Sequence, residues 1–63
     1  MKLERYHVCY MNEESKQLRD DTFTVDNREM FPNANTFRVL AAGYEFTHPD
    51  NIAIHGYELI EGP

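Results

Sequence analysis

Several residues from which small proteins build active sites and crosslinks are scarce in this chain. Its 63 residues include one cysteine, one serine and three glycines. A single cysteine, Cys9, excludes an internal disulfide. The glycines are scattered and form no phosphate-binding loop. Ser15 lies in a turn-prone segment, which does not fit the nucleophile of a hydrolase triad. These absences predict a protein that is not an enzyme and needs no cofactor.

Basic residues are scarce too, since six Lys and Arg stand against 11 Asp and Glu, for a net charge of −5. No basic cluster is present to neutralise phosphates, so direct nucleic-acid binding is not expected, and an anionic membrane surface is disfavoured equally. No stretch approaches the roughly 20 apolar residues of a membrane-spanning helix. Residues 1–7 carry charges where a signal peptide needs an apolar run. We therefore expect a cytoplasmic protein.

Length and aromatic content together predict one small folded domain, residues 1–63. A domain of about 60 residues buries only about 60% of the surface of its unfolded chain, so its core is thin. Aromatic residues make up 13% of the sequence. Each of them buries roughly 150–250 Å², so a few can dominate such a core.

The first half of the chain predicts an antiparallel hairpin. Residues alternate from Arg5 to Met11, with aromatic and β-branched side chains on one side, which is typical of a strand. A polar turn follows at 12–15, and a second strand is clearest at Thr22–Val25. The middle of the chain then predicts a short helix over residues 33–42 that stops at Gly43, with a strand at 36–40 as the alternative.

The second half predicts two further strands. Residues 44–47 alternate, residues 48–51 have the composition of a turn, and residues 52–60 form the clearest strand pattern in the chain. A bulge at Gly56 would bring Tyr57 and Leu59 onto the core side. The fold class is therefore α+β, a small antiparallel sheet with one short helix in the order β-β-α-β-β. The alternative is a small all-β barrel.

Metal binding is not expected, although four residues offer suitable atoms. His7 and Cys9 lie two residues apart, so on a strand they point to the same side, and His48 and His55 are the other donors of the type that zinc accepts. Structural zinc motifs normally supply one close ligand pair from a turn, and no such pair is present. A zinc-stapled mini-domain therefore stays a second alternative.

The remaining features favour binding to another protein. The negative charge predicts a partner with a basic surface, which the acids would steer toward the site. Tyr side chains are enriched in binding hot spots, and two of them are candidate anchors. The predicted contact residues are Glu13, Glu14, Asp20, Asp21, Tyr10 and Tyr57. A structural homodimer is the first alternative, since pairing would help to complete a thin core.

A short segment resembles a known class of inhibitor. Residues 42–47, Ala-Gly-Tyr-Glu-Phe-Thr, resemble the helix exit and following strand of the small T7-phage type of protein that inhibits bacterial RNA polymerase. The resemblance covers those six residues. It implies a compact phage-type or host-modulating protein that regulates or inhibits a partner by occupying it.

Overall fold

Every second side chain of the first strand is buried, and the core of the molecule lies on that side of the strand. The computed structural model describes residues 3–62, and one side of this strand is buried from Tyr6 to Asn12. The described residues form three strands, one α-helix and one turn of 3-10 helix. Their bounds are Leu3–Asn12 (β1), Gln17–Asp26 (β2), Ala34–Glu45 (α1), Pro49–Asn51 (3-10) and Ile52–Glu61 (β3). The sheet has the order β2-β1-β3, and both pairings are antiparallel.

The predicted hairpin is present, with Asn12 paired to Gln17 across a four-residue turn. The Asn12 side-chain oxygen accepts hydrogen bonds from the backbone N–H groups of Glu14 and Ser15, at 3.0 and 3.3 Å. This Asx-type geometry starts the turn. Lys16 completes it in the left-handed region, with φ 62°.

The irregularity expected at Gly56 is also present. In the pairing of β1 with β3, Tyr10 lies opposite Ile54 but Cys9 lies opposite Gly56, so one residue of β3 is extra at this point. Such a bulge shifts the alternation by one residue. As a result Tyr57 lies opposite Val8, on the same side of the sheet as Ile54.

Helix α1 packs on the buried side of β1. The Asn33 side chain caps its first turn by accepting from the Thr36 N–H at 2.9 Å. Phe37 is fully buried, and its ring centroid lies 5.0 Å from that of Tyr6 and 4.9 Å from that of Tyr57. The alternative strand over residues 36–40 is thus excluded, because these residues are helical.

The helix ends later than the sequence pattern indicates. It runs through Gly43 to Glu45, so the predicted strand at 44–47 is wrong, and the resemblance of residues 42–47 to a helix exit followed by a strand fails. The extra turn is stabilised by the sheet, because the Tyr44 ring packs edge-on against Phe23 at 6.0 Å. Glu45 makes further contacts with the sheet, and Phe46 then adopts the left-handed C-cap with φ 56°.

Two statements about the fold class need correction. The α+β class, the antiparallel sheet and the single α-helix are confirmed, but the order along the described residues is β-β-α-β. The sheet is open, so the alternative of a small barrel is wrong. No helix among residues 3–62 has the length and apolar character needed to cross a membrane.

The core lies between the sheet and α1, and it is built largely from aromatic and small side chains. Its buried apolar members are Tyr6, Val8, Tyr10, Val25, Phe37, Ala41, Ala42 and Ile52. Asn12 is the buried polar residue at its margin, 4% exposed, and its side-chain N–H donates to Glu45 Oε1 at 3.1 Å. The other Glu45 oxygen lies 3.2 Å from the Tyr10 hydroxyl oxygen and 3.4 Å from the Arg19 guanidinium. Glu45 therefore ties the end of α1 to both β1 and β2.

We expect Glu45→Ala to destabilise the protein by about 1–3 kcal/mol, because the buried Asn12 amide loses its acceptor. Urea unfolding measures the change. Glu29→Ala is the matched control, since the Glu29 side chain is exposed and makes no hydrogen bond or ion pair among the described residues, and it should alter stability by no more than about 0.5 kcal/mol. Equal effects of the two substitutions would contradict the role given to Glu45.

Candidate functional site

The structure distributes the predicted contact residues over different surfaces. Glu13 and Glu14 are exposed in the hairpin turn. Asp20 and Asp21 are neighbours on β2 and point to opposite faces: Asp20 pairs with His7 on the face away from the helix, and Asp21 meets Tyr10 on the helix side. The two acid pairs therefore do not form one patch.

Tyr10 has no exposed surface, which removes it from the candidate contact surface. Its hydroxyl donates to Asp21 Oδ2 at 2.7 Å, and Glu45 Oε2 lies 3.2 Å away. Burial and the two carboxylates raise the pKa of Tyr10 well above its ordinary value. The hydroxyl therefore stays protonated and acts as a structural donor.

Tyr57 remains a surface residue, with 42% of its area exposed. Its ring packs against Phe37 at 4.9 Å and approaches Tyr6 at 6.3 Å. These contacts hold the ring in position, so the exposed part is presented from a rigid base, as expected for an anchor.

At the end of the sheet where β1 and β2 are joined, hydrogen bonds connect the hairpin turn to the chain that follows α1. The Glu13 N–H donates to the Asn51 carbonyl at 2.7 Å, and the Thr47 hydroxyl donates to Glu14 Oε1 at 2.7 Å. The Asn51 side-chain N–H in turn donates to the Thr47 hydroxyl oxygen at 2.9 Å. We name this the hairpin-end surface and define it by Glu13, Glu14, Phe46, Thr47 and Asp50.

Sequence reasoning predicted Glu13 and Glu14 of this surface but missed Phe46, Thr47 and Asp50, and Phe46 is its exposed aromatic residue. It is 94% exposed and occupies a left-handed backbone conformation at the helix C-cap. The pattern had placed it in a strand, where an aromatic residue is ordinary. The only available signal was its position just after a helix with strong apolar spacing, and that signal was obscured by Gly43.

The face of the sheet away from the helix carries a cluster of a different kind. His7 and Cys9 project from β1, and Asp20 lies directly across from Cys9 on β2. One donor atom from each residue lies within 4.8 Å of the others, and His7 Nε2 is 2.9 Å from Asp20 Oδ1. Sequence spacing paired His7 with Cys9 but missed Asp20, because the pairing register brings it there.

The two other histidines lie apart from each other. His48 is at the hairpin end, where its Nδ1 accepts from the Asp50 N–H at 3.1 Å and caps the 3-10 helix. His55 lines a shallow depression of about 300 Å³ together with His7, Cys9, Gly56, Tyr57 and Glu58. Of the four histidine and cysteine residues considered for a metal, three therefore share one surface and His48 does not.

His7 is the titratable group of this face with an altered pKa. The hydrogen bond to Asp20 raises the pKa of His7, Asp20's negative charge adds to the effect, and Glu58 contributes less. A raised pKa in the folded state stabilises the fold fully below the unfolded value of about 6.5, and this contribution is lost as the pH rises through the folded value.

In protein treated with chelator, we expect an NMR titration to place the pKa of His7 above about 6.5. Asp20→Asn should return it toward the ordinary value, and Glu58→Gln should move it less. The stability advantage of the wild type over Asp20→Asn should be larger at about pH 6 than at about pH 8.5. A His7 pKa that is the same with Asp and Asn at position 20 would exclude this pair.

Comparison with known proteins yields no match. No family model, no curated protein and no solved structure is significantly similar to this chain. Its function has to be inferred from its own geometry.

Proposed function

We propose that this protein is a small, acidic, non-enzymatic interaction module that binds a partner protein with a basic surface and thereby regulates or inhibits it. The proposal rests on the exposure of one aromatic residue, Phe46. Its side chain is 94% exposed, so it gains almost nothing from packing within the fold. Contact with another molecule would bury it.

The backbone at Phe46 strengthens this argument. A φ of 56° places it in the left-handed region, which costs a residue with a side chain about 1–2 kcal/mol relative to the usual conformation. Glycine is the common residue at this position of a helix end because it avoids that cost. Backbone strain of this kind concentrates at binding and catalytic sites. Phe46 therefore fits a role in binding better than a role in folding.

The charges around Phe46 indicate what kind of partner would bind. Thr47, the residue after Phe46, donates a hydrogen bond to the carboxylate of Glu14, and Glu13 and Asp50 belong to the same hairpin-end surface. Lys16 is the basic side chain of the turn. A basic partner surface with an apolar recess complements this arrangement. The acids, together with Asp20, Asp21 and the net charge of −5, would raise the rate of association more than they strengthen the final complex.

We expect Phe46→Gly to separate folding from binding. Relief of backbone strain, less the entropy that glycine loses on folding, should raise the free energy of unfolding by about 0.5–1 kcal/mol. Loss of the buried ring should weaken partner binding by about 10- to 100-fold. Tagged full-length protein would capture partners from its source cell, and surface plasmon resonance with the purified partner would measure affinity.

Phe31→Ala is the matched control for this experiment, because Phe31 is 77% exposed and lies in the connection between β2 and α1 rather than at the hairpin end. It should leave the affinity unchanged. The proposal would be overturned if Phe46→Gly bound the partner as the wild type does, or if Phe31→Ala were equally weakened.

The end of the sheet away from the hairpin turn supports a homodimer as a second candidate function. Leu3, Leu59 and Ile60 are each about half exposed there, at 48%, 50% and 49%, and β3 pairs with β1 along one edge only. An open edge with apolar side chains is suited to pairing with a second copy. Acidic residues Glu58 and Glu61 on the same strand, and a charge of −5 on each copy, oppose that pairing.

We expect light scattering between about 1 and 100 μM to show a monomer, because like charges on the two copies repel. Raising the salt concentration screens that repulsion and tests whether charge is the reason. A dimer that persists on dilution and dissociates in Leu59→Lys, but not in Leu18→Lys on the other edge strand, where Leu18 is 66% exposed, would replace the binding proposal with the homodimer.

A further inference from the structure

The cluster on the open face of the sheet contains three different kinds of metal-binding group. His7 offers an imidazole nitrogen, Cys9 a sulfur and Asp20 a carboxylate oxygen, and all three are ligand types that zinc accepts. Magnesium and calcium prefer oxygen ligands, whereas a thiolate with an imidazole selects zinc or a similar soft metal. The composition of the cluster therefore specifies the class of ion.

Distances within the cluster suit one ion. Zinc bonds of about 2.0–2.3 Å in tetrahedral geometry place two ligand atoms roughly 3.3–3.7 Å apart. The donor atoms of the three residues lie within 4.8 Å of one another, and the closest pair is at 2.9 Å. Small side-chain rotations would bring all three into range, and both His7 and Asp20 have exposed side chains that are free to make them, at 38% and 61%.

The backbone beside the cluster leaves room for an ion and a fourth ligand. Gly56 lies opposite Cys9 on β3, and a side-chain carbon at this position would have no neighbour within 4 Å. His55 lies at the bulge of β3 and lines the same depression as His7 and Cys9, and Glu58 is paired across from His7. His55 lies outside the three-residue cluster, so a rotation of its exposed side chain would be needed to bring a ring nitrogen to the ion as the fourth ligand.

We propose that His7, Cys9 and Asp20 bind one zinc ion on the open face of the sheet, with His55 as the fourth ligand. The ion links all three strands, since these residues come from β1, β2 and β3. In a chain whose single cysteine excludes a disulfide, this supplies a crosslink that the thin core lacks. The site is separate from the hairpin-end surface, so the zinc proposal can be tested independently of the binding proposal.

Cobalt is the spectroscopic probe for this site. Titration of the full-length reduced protein with Co²⁺ should produce thiolate-to-cobalt charge-transfer absorption together with the visible bands of a tetrahedral ion, at one ion per chain. Zn²⁺ should displace it. Zinc at about 100 times its Kd should raise the melting temperature by about 10–20 °C.

Variants assign the ligands. Cys9→Ser should abolish the charge-transfer band, and Asp20→Asn and His7→Asn should each weaken Zn²⁺ binding at least 10-fold in calorimetric titration. His48→Asn is the matched control, because it replaces a histidine away from the cluster with another capping residue, and it should bind as the wild type does. His55→Asn should also weaken binding and change the visible bands.

Several results would overturn the proposal. Zinc binding in Cys9→Ser equal to that of the wild type would exclude the cluster as the site. One ion for every two chains would replace it with an intermolecular contact. A Co²⁺ spectrum without the charge-transfer band, or a melting temperature unchanged by saturating Zn²⁺, would equally rule it out. Circular dichroism of each variant checks that the fold is retained.

Discussion

One short helix has to cover a much longer sheet, and the rest of the structure follows from this constraint. Each strand has ten residues and extends about 34 Å, whereas the twelve residues of α1 extend about 18 Å. Phe37 holds one end of the helix between Tyr6 and Tyr57, and Glu45 holds the other end against Tyr10 and Asn12. Only one face of the sheet, and only part of its length, is thereby removed from water.

Each surface left outside the helix has its own chemistry. Beyond Phe37, the strands project past the helix and leave Leu3, Leu59 and Ile60 half exposed. Beyond Glu45, the chain turns back at Phe46, whose ring is left in solvent, and the next residue, Thr47, donates a hydrogen bond to Glu14 of the hairpin turn. On the open face, which also carries Met11 and Leu18, the strand register brings imidazole, thiol and carboxylate groups together.

The network around Glu45 connects the core to the hairpin-end surface. Its carboxylate contacts β1 and β2, which fixes where the helix stops and therefore where Phe46 is displayed. Buried polar networks of this kind specify one arrangement when every member has a partner. Here the Tyr10 hydroxyl, the Asn12 amide and the Arg19 guanidinium all reach acceptors, so one contact set decides both the end of the helix and the position of the exposed ring.

The local patterns of the sequence determined the first two strands, the hairpin, the helix around Phe37 and the bulge beside Gly56, because period-two and period-3.6 alternation of apolar residues depends on nothing distant. They were insufficient at residues 44–47, because Gly43 is a common signal for the end of a helix. Tyr44 gains a contact with Phe23, and Glu45 gains contacts with Tyr10 and Asn12. These contacts outweigh the low helix propensity of Gly43. They could not place Asp20 beside Cys9, since that neighbour is set by strand register, nor show that Tyr10 is buried and Phe46 exposed. Those features were decided by tertiary structure alone, because register and burial depend on which segments of the chain meet.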